Sequence, residues 1–309
     1  MSTAVLLMAH GTPSSMDEMP EYLTRVRGGR PPSDELIGEM RRNYGAIGGR
    51  SPLTDITLQQ RNALRDFLGG GVKVMIGMRN WHPLIGDVLG ALAGSDVTRV
   101  VGIPLAPQFS TLSVKKYVEA AMSAMPPGIG FECVTSYHDH PLLLQAFAER
   151  IWEAGMPSAG EAVVFTAHAL PERVIAEGNP SYLEQVRATA RGVADRAGIA
   201  TFDLAFQSAG RTREPWTGPG LGDVIRNRAA SGVRRLMVAP IGFVCDHTEI
   251  LYDIDVQAKG LAAECGVELR RPATLNTSPT FIALLAELSK RVVATALNRQ
   301  PFSCPIPLT

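Results

Sequence analysis

The sequence predicts an α/β protein built twice from one unit, and three observations carry that prediction. Short β-branched runs alternate with longer stretches of helical period along all 309 residues. The stretch AVLLMAHGTP (4–13) returns as AVVFTAHALP (162–171), an apolar run that stops at Ala-His with proline three positions on. A second pair, VTRVVGIPL (97–105) and VRRLMVAPI (233–241), repeats in the same order, each a strand running into proline.

Taken in order, the β-branched runs place strands at 5–8, 72–76, 99–103 and 131–136 in the first half. In the second half they fall at 162–166, 201–206, 235–239 and 268–271. Helical period marks 34–44, 54–67, 84–93, 114–122 and 141–153, then 180–197, 220–230, 247–259 and 278–297. The strands are apolar at consecutive positions, as strands covered on both faces are, which implies parallel pairing. The expected architecture is two duplicated Rossmann-like domains, 1–150 and 151–309, each a parallel four-stranded sheet flanked by helices. The last helix is a candidate to pack back on the first domain.

Ligands of open parallel sheets bind beyond the carboxyl ends of the strands. Both Ala-His pairs lie there, so two halves facing one another would set His10 and His168 on the walls of one cleft. For either histidine alone, a satisfied loop or core residue is the ordinary explanation; their matched positions argue against it.

Composition narrows the partners. Apolar residues make up 45% and charged residues 19%, enough to bury a large interior. Thirty Lys and Arg balance thirty Asp and Glu, so no net charge points to nucleic acid or to a basic partner. Cys133, Cys245, Cys265 and Cys304 form no CxxC pair, which fits a reducing compartment better than a zinc site or disulfide framework. Neither a signal peptide nor an apolar span of bilayer length is visible, and the expected location is the cytoplasm, without stable membrane insertion.

Two segments carry candidate chemistry. In GFVCDHTEILYDID (242–255), Asp246 and Glu249 have the spacing of a helix cap and its partner, although such a box normally begins with Ser or Thr. Glu249 and Asp253 are also i,i+4 neighbours, which sets both carboxylates on one helix face. A histidine and a carboxylate at neighbouring strand ends can hold a borderline divalent ion such as Fe²⁺, or shuttle protons. In the first half, EYLTRVRGGRPP (21–32) offers Arg25, Arg27 and Arg30, and NYGAIGGRSPL (43–53) offers Tyr44, Arg50 and Ser51. Guanidinium groups pair with carboxylates, so this surface suits an anionic organic ligand, the alternative being a solvated charged loop. His138 and His140 flank Asp139 with no third ligand in view, while His82 and His247 read as loop or cap residues.

The segments YGAIGGRSPL (44–53), FTAHALPE (165–172), FQSAGRTREPWTGP (206–219) and GFVCDHTEILYDID together resemble, in order, the motifs of the ferrochelatase family. The resemblance covers nearly the whole chain. It implies a lyase of haem and porphyrin biosynthesis with the chelatase fold, which distorts a porphyrin in the cleft and inserts Fe²⁺, a substrate and not a resident cofactor. It gives His168 the role of proton acceptor and metal contact, Glu249 that of its partner, and Asp253 a place on a metal path. The chain looks most like the soluble bacterial type that metallates coproporphyrin III, because 14–32 is polar and basic and coproporphyrin carries four propionates. In that type the positions matching Arg27, Asn43, Tyr44, Ser51 and Tyr117 line the pocket, together with His10. Cys304 stands alone near the C-terminus, so no iron–sulfur cluster is expected. A monomer is the family expectation, and transient contact with neighbouring haem-pathway enzymes is compatible with it.

Three departures stand out. The soluble members usually carry tyrosine where this chain has His10, a change that would give product iron an imidazole ligand. Asn43 replaces an arginine, with Arg42 beside it, and Gln257 replaces a carboxylate. His10-Gly11 also resembles the opening of sirohydrochlorin cobalt or nickel chelatases. That alternative stands beside a protoporphyrin IX ferrochelatase and a non-catalytic haem-binding protein.

Overall fold

A computed structural model describes residues 2–69, 71–210 and 212–297; Cys304 lies outside them. The first sheet contains β1 (Ser2–Ala9), β2 (Lys73–Met78), β3 (Val97–Pro104) and β4 (Gly130–Cys133), in the order β2-β1-β3-β4. The second contains β5 (Glu161–His168), β6 (Asp203–Gln207), β7 (Arg235–Pro240) and β8 (Glu268–Arg270), in the order β6-β5-β7-β8. Every pairing is parallel. The two orders are identical, so the repeated Ala-His strands β1 and β5 occupy the same place in their sheets. The repeated strand–Pro segments, β3 and β7, do likewise.

Burial explains why these strands read as unbroken apolar runs. Along β1, Val5, Leu7 and Ala9 enter one hydrophobic cluster, and Ala4, Leu6 and Met8 enter another on the opposite face. The first cluster continues across the molecule into Val163, Phe165 and Met237 of the second sheet. Two helices carry it there. Pro141–Glu153 contributes Leu143 and Phe147, and Pro279–Leu297 contributes Phe281, Leu284 and Leu288. The last helix packs on the helix Leu53–Phe67, on Pro141–Glu153 and on β3. A continuous core of this kind sets the two carboxyl edges at a fixed spacing.

The structure departs from the expected elements in two places that matter for the site. A helix, Met19–Val26, occupies a stretch to which the sequence pattern assigned no element. Pro20 is tolerated in its first turn, and Glu21 pairs with Arg25 one turn on at 2.9 Å. The expected helix at 247–259 is broken into a single turn, Thr248–Leu251, a π-helix, Asp253–Ala258, and a last turn, Lys259–Glu264. The Ser181–Glu184 capping box falls instead at the start of Tyr182–Ala197.

Two glycines let the strand ends approach closely. Gly11 has φ +87, and a Cβ there would lie 2.8 Å from the Trp81 nitrogen, so only glycine seats the 78–82 turn against the end of β1. Gly242 plays the same part in the other half, where a Cβ would lie 2.8 Å from the Ala167 Cα.

Candidate active site

His168 is the last residue of β5, and its ring is held from both sides. Nδ1–H donates to the Ala169 carbonyl, which leaves Nε2 facing Glu249, with 3.5 Å between Nε2 and Oε1. The Tyr182 hydroxyl donates to the His168 carbonyl at 2.9 Å. Glu249 sits in the single turn that opens the π-helical segment. Its N–H is received by Nδ1 of His247 at 3.2 Å, and its carbonyl accepts from Nε2 of Gln207 at 2.6 Å. His247 is therefore the cap, and the Asp246–Glu249 capping pair does not form. Asp246 instead accepts from Asn276 and pairs with Arg271 at 3.2 Å, which leaves the Glu249 carboxylate for the cleft.

The electrostatics of this pair follow from its geometry. Burial disfavours charge on His168, but the Glu249 carboxylate, the Ala169 carbonyl and Asp253 outweigh it and raise the imidazole to about 9. Burial likewise acts against the Glu249 carboxylate, yet the imidazoles of His168, His247 and His10 hold it down at about 2. At neutral pH the resting pair is imidazolium and carboxylate. Solvent reaches both, with side-chain exposures of 34% and 41%, so their attraction is screened.

The facing wall comes from the first half. His10, just beyond the end of β1, is open to the cleft with protein on its other sides. Burial drives its imidazole down against the pull of Glu249, and Arg79, His247 and His168 add to the fall, to about 4. The same influences show that His10 and the pair on the opposite edge feel one another's charge. The buried amide of Asn80 lies 3.1 Å from one His10 ring nitrogen and 3.3 Å from the other, and the Asn80 N–H donates to the His10 carbonyl. Tyr22 meets the His10 ring edge-on at 6.4 Å, Trp81 packs on Tyr22, and the Arg25 guanidinium lies 5.8 Å over Trp81.

The remaining expected residues divide by depth. Tyr44 is buried, with its hydroxyl 2.7 Å from Thr12 Oγ1, and Tyr117 is buried within reach of the charges on Arg79 and Glu249. Ser51 is buried and receives the Leu53 N–H, which makes it a turn residue at a helix start. Asn43 is half-buried on the helix Asp34–Ala46. Arg27 is exposed on the rim, where its side chain and that of Arg30 bond each other's carbonyl. Beneath that rim Met16, Leu36, Ile37 and Met40 pack against Met19, Tyr22, Leu23, Tyr44 and Trp81, an apolar wall that the basic character of 14–32 did not announce.

Beyond Glu249 the carboxylate row continues to Asp253, which accepts from the Ser208 hydroxyl. Burial, against that hydrogen bond and with the Glu249 charge adding to it, pushes Asp253 up to about 6. The row then ends. Asp255 is taken by Arg271 at 2.7 Å and Lys259 at 3.0 Å, and Gln257 is exposed. Among the described residues no group of three His, Cys, Asp or Glu side chains closes into a metal cage, so His10, His168 and Glu249 are a pair and a facing wall. His140 is spent capping the helix Pro141–Glu153, and His138 bonds Ser136 at 2.8 Å.

Four residues were given no role in the site by the sequence: Arg79 and Asn80 lie outside every quoted motif, and Gln207 and His247 stand unassigned inside two of them. Arg79 and Asn80 follow β2 directly, so the carboxyl-edge rule that selected His10 reaches them too. His247 was legible only as a cap, because nothing in its spacing says that a cap two residues before a carboxylate must share its cleft.

A family model described as Ferrochelatase matches residues 2–293. The "Ferrochelatase" of Deinococcus radiodurans is 40% identical over 304 residues, covering 94% of this chain and 96% of its own. The "Coproporphyrin III ferrochelatase" of Geobacillus kaustophilus is 36% identical over 300 residues, covering 93% and 95%. Among solved structures, the sirohydrochlorin chelatase SirB from Bacillus subtilis subspecies spizizenii, in complex with cobalt, superposes with a TM-score of 0.59. That match has 12% identity, covers 98% of this chain and 100% of the other, and is a likeness of fold.

Proposed function

The chain belongs to the ferrochelatase family, and from that premise we propose that it inserts Fe²⁺ into coproporphyrin III. The observation that carries the reaction is the His168–Glu249 pair, 3.5 Å apart at the end of β5, with His10 at the matching strand end within reach of its charge. Metallation replaces two pyrrole protons with one Fe²⁺, so the site must take up protons on the side from which metal arrives. His168, fixed through Nδ1, presents Nε2 for this. The approaching cation lowers the affinity of the imidazole for its own proton, and Asp253, poised near neutral pH, is placed to pass protons toward solvent. The macrocycle would lie against the open face of His10, with the buried cluster of Met19, Tyr22 and Trp81 as its support, and binding energy gained at the ring's edges can be used to bend it.

Substrate choice rests on the rim. Arg27 and Arg30 have no acidic partner among the described residues, and both guanidinium groups are exposed. Four propionates offer them more carboxylate than two. The direct test is anaerobic Fe²⁺ insertion with coproporphyrin III and protoporphyrin IX side by side; preference for protoporphyrin would reverse the assignment. Arg27→Ala is expected to raise KM for coproporphyrin by about fivefold, the upper end for an exposed ion pair, and to leave protoporphyrin nearly unchanged. Equal losses would remove the propionate argument. No helix among the described residues is long and apolar enough to cross a membrane. Exclusive turnover of sirohydrochlorin with Co²⁺ or Ni²⁺ would favour the cobalt-chelatase alternative raised by His10-Gly11.

His10 is open to the cleft, and its low proton affinity would leave the imidazole neutral at neutral pH and able to supply a nitrogen ligand to product iron. The product complex is expected to show nitrogen ligation in its absorption and resonance Raman spectra, lost in His10→Ala. An unchanged spectrum in that variant rules the ligand out.

A further inference from the structure

Gln207 and Ser208 close β6, and between them they touch every part of the candidate acid–base row. The Gln207 carbonyl receives the Ala169 N–H at 2.7 Å, and the Ala169 carbonyl in turn receives Nδ1–H of His168. The Gln207 side chain turns the other way and donates to the Glu249 carbonyl at 2.6 Å. Ser208 has φ 61, a left-handed conformation that a serine adopts at a cost, and its hydroxyl donates to Asp253. Gln207 is 6% exposed, so the bond to Glu249 is shielded from water.

The elements that bear the carboxylates need such an anchor. Glu249 stands on a helix of four residues, and Asp253 opens a π-helix. One turn of α-helix followed by a wider turn has few hydrogen bonds of its own to hold its position.

We infer that Gln207 and Ser208 are positioning residues that clamp the Glu249–Asp253 segment to the end of β5, and so set the separation between His168 and its carboxylates. The inference rests on the reading that His168 and Glu249 carry metal insertion. Neither residue of the clamp needs to touch substrate. Its loss acts through geometry, where a displacement of about 1 Å costs about a hundredfold in rate.

The test is single-turnover insertion of Zn²⁺ into coproporphyrin III, followed by fluorescence so that slow variants remain measurable. Gln207→Met keeps the length and loses the donor. It is expected to slow insertion about 10- to 100-fold, with porphyrin Kd changed less than twofold. In a Glu249→Gln background the same substitution is expected to cost less than twofold, because the group it positions is gone. Ser208→Gly and Ser208→Ala both lose the hydroxyl, but only glycine relieves the left-handed backbone. Both should slow insertion by the same factor while Ser208→Gly melts at the higher temperature. A Gln207→Met penalty that is equal in both backgrounds, or Ser208 variants at the wild-type rate, overturns the clamp. If Glu249→Gln is itself as fast as wild type, the catalytic reading falls instead. Should Gln207→Met not fold, the Ser208 pair decides.

Discussion

His168→Ala is expected to stop metal insertion, lowering kcat by about 10³-fold, while coproporphyrin III still binds within a fewfold of wild type. The magnitude is what a positioned acid–base group contributes, about 10²–10⁴. Binding is expected to survive because the groups proposed to meet the macrocycle and its propionates lie in the other half: His10 with Tyr22 behind it, and the exposed Arg27 and Arg30. His168→Gln sharpens the result. An amide can still donate to Glu249, but it cannot accept a pyrrole proton, so it should be as slow as alanine. Fluorescence titration with porphyrin and anaerobic Fe²⁺ turnover check the two halves of the expectation. Turnover within tenfold of wild type in either variant would move the base elsewhere, and loss of porphyrin binding in parallel would make His168 a binding residue.

The architecture and one side of the site were legible in the sequence because each rests on a local pattern. Val5–Leu7 and Val163–Phe165 are apolar at consecutive positions since each strand is covered on both faces, and identical sheet orders turned a sequence repeat into a structural one. The strand-end rule singled out His168 and the i,i+4 rule joined Glu249 to Asp253, both over short range, while the partnership of His168 with Glu249 came from the family resemblance. What could not be read was set by contacts distant in sequence. Asp246 looks like a cap until Arg271 and Asn276, some 25 and 30 residues on, claim it. The break of the expected 247–259 helix into a π-helix has no composition signal. The helix at Met19–Val26 was hidden by Pro20, which sits in its first turn, and by Gly28 and Gly29, which lie just past its C-cap Arg27. Arg79 and Asn80 lie within reach of the strand-end rule, but only the fold of the 78–82 turn over Gly11 brings Asn80 onto His10.

Glu249→Gln is expected to lower the high-pH plateau of kcat/KM by about 10²-fold and to move its rising limb to lower pH. In the free enzyme His168 must lose a proton before it can accept one, and with Glu249 beside it that occurs near pH 9. Removing the carboxylate takes away the strongest influence raising the imidazole; burial remains, and it pushes His168 down. At pH 6 about one wild-type site in a thousand has a neutral His168, three pH units below its midpoint, whereas in the variant the neutral form is far more abundant. The defect of the variant should therefore shrink as pH falls. A residue that merely supports the fold gives a ratio that does not change with pH, and that outcome would contradict the role of Glu249. Stability follows the same linkage with its own sign. The raised His168 contributes fully below about 6.5, its ordinary value, and loses its contribution as pH rises through about 9. The depressed Glu249 contributes fully above about 4.5 and loses its contribution as pH falls through about 2. The difference in melting temperature between wild type and Glu249→Gln should thus be widest between about pH 4.5 and 6.5, and it should close above pH 9, where the imidazole of the intact pair is no longer charged.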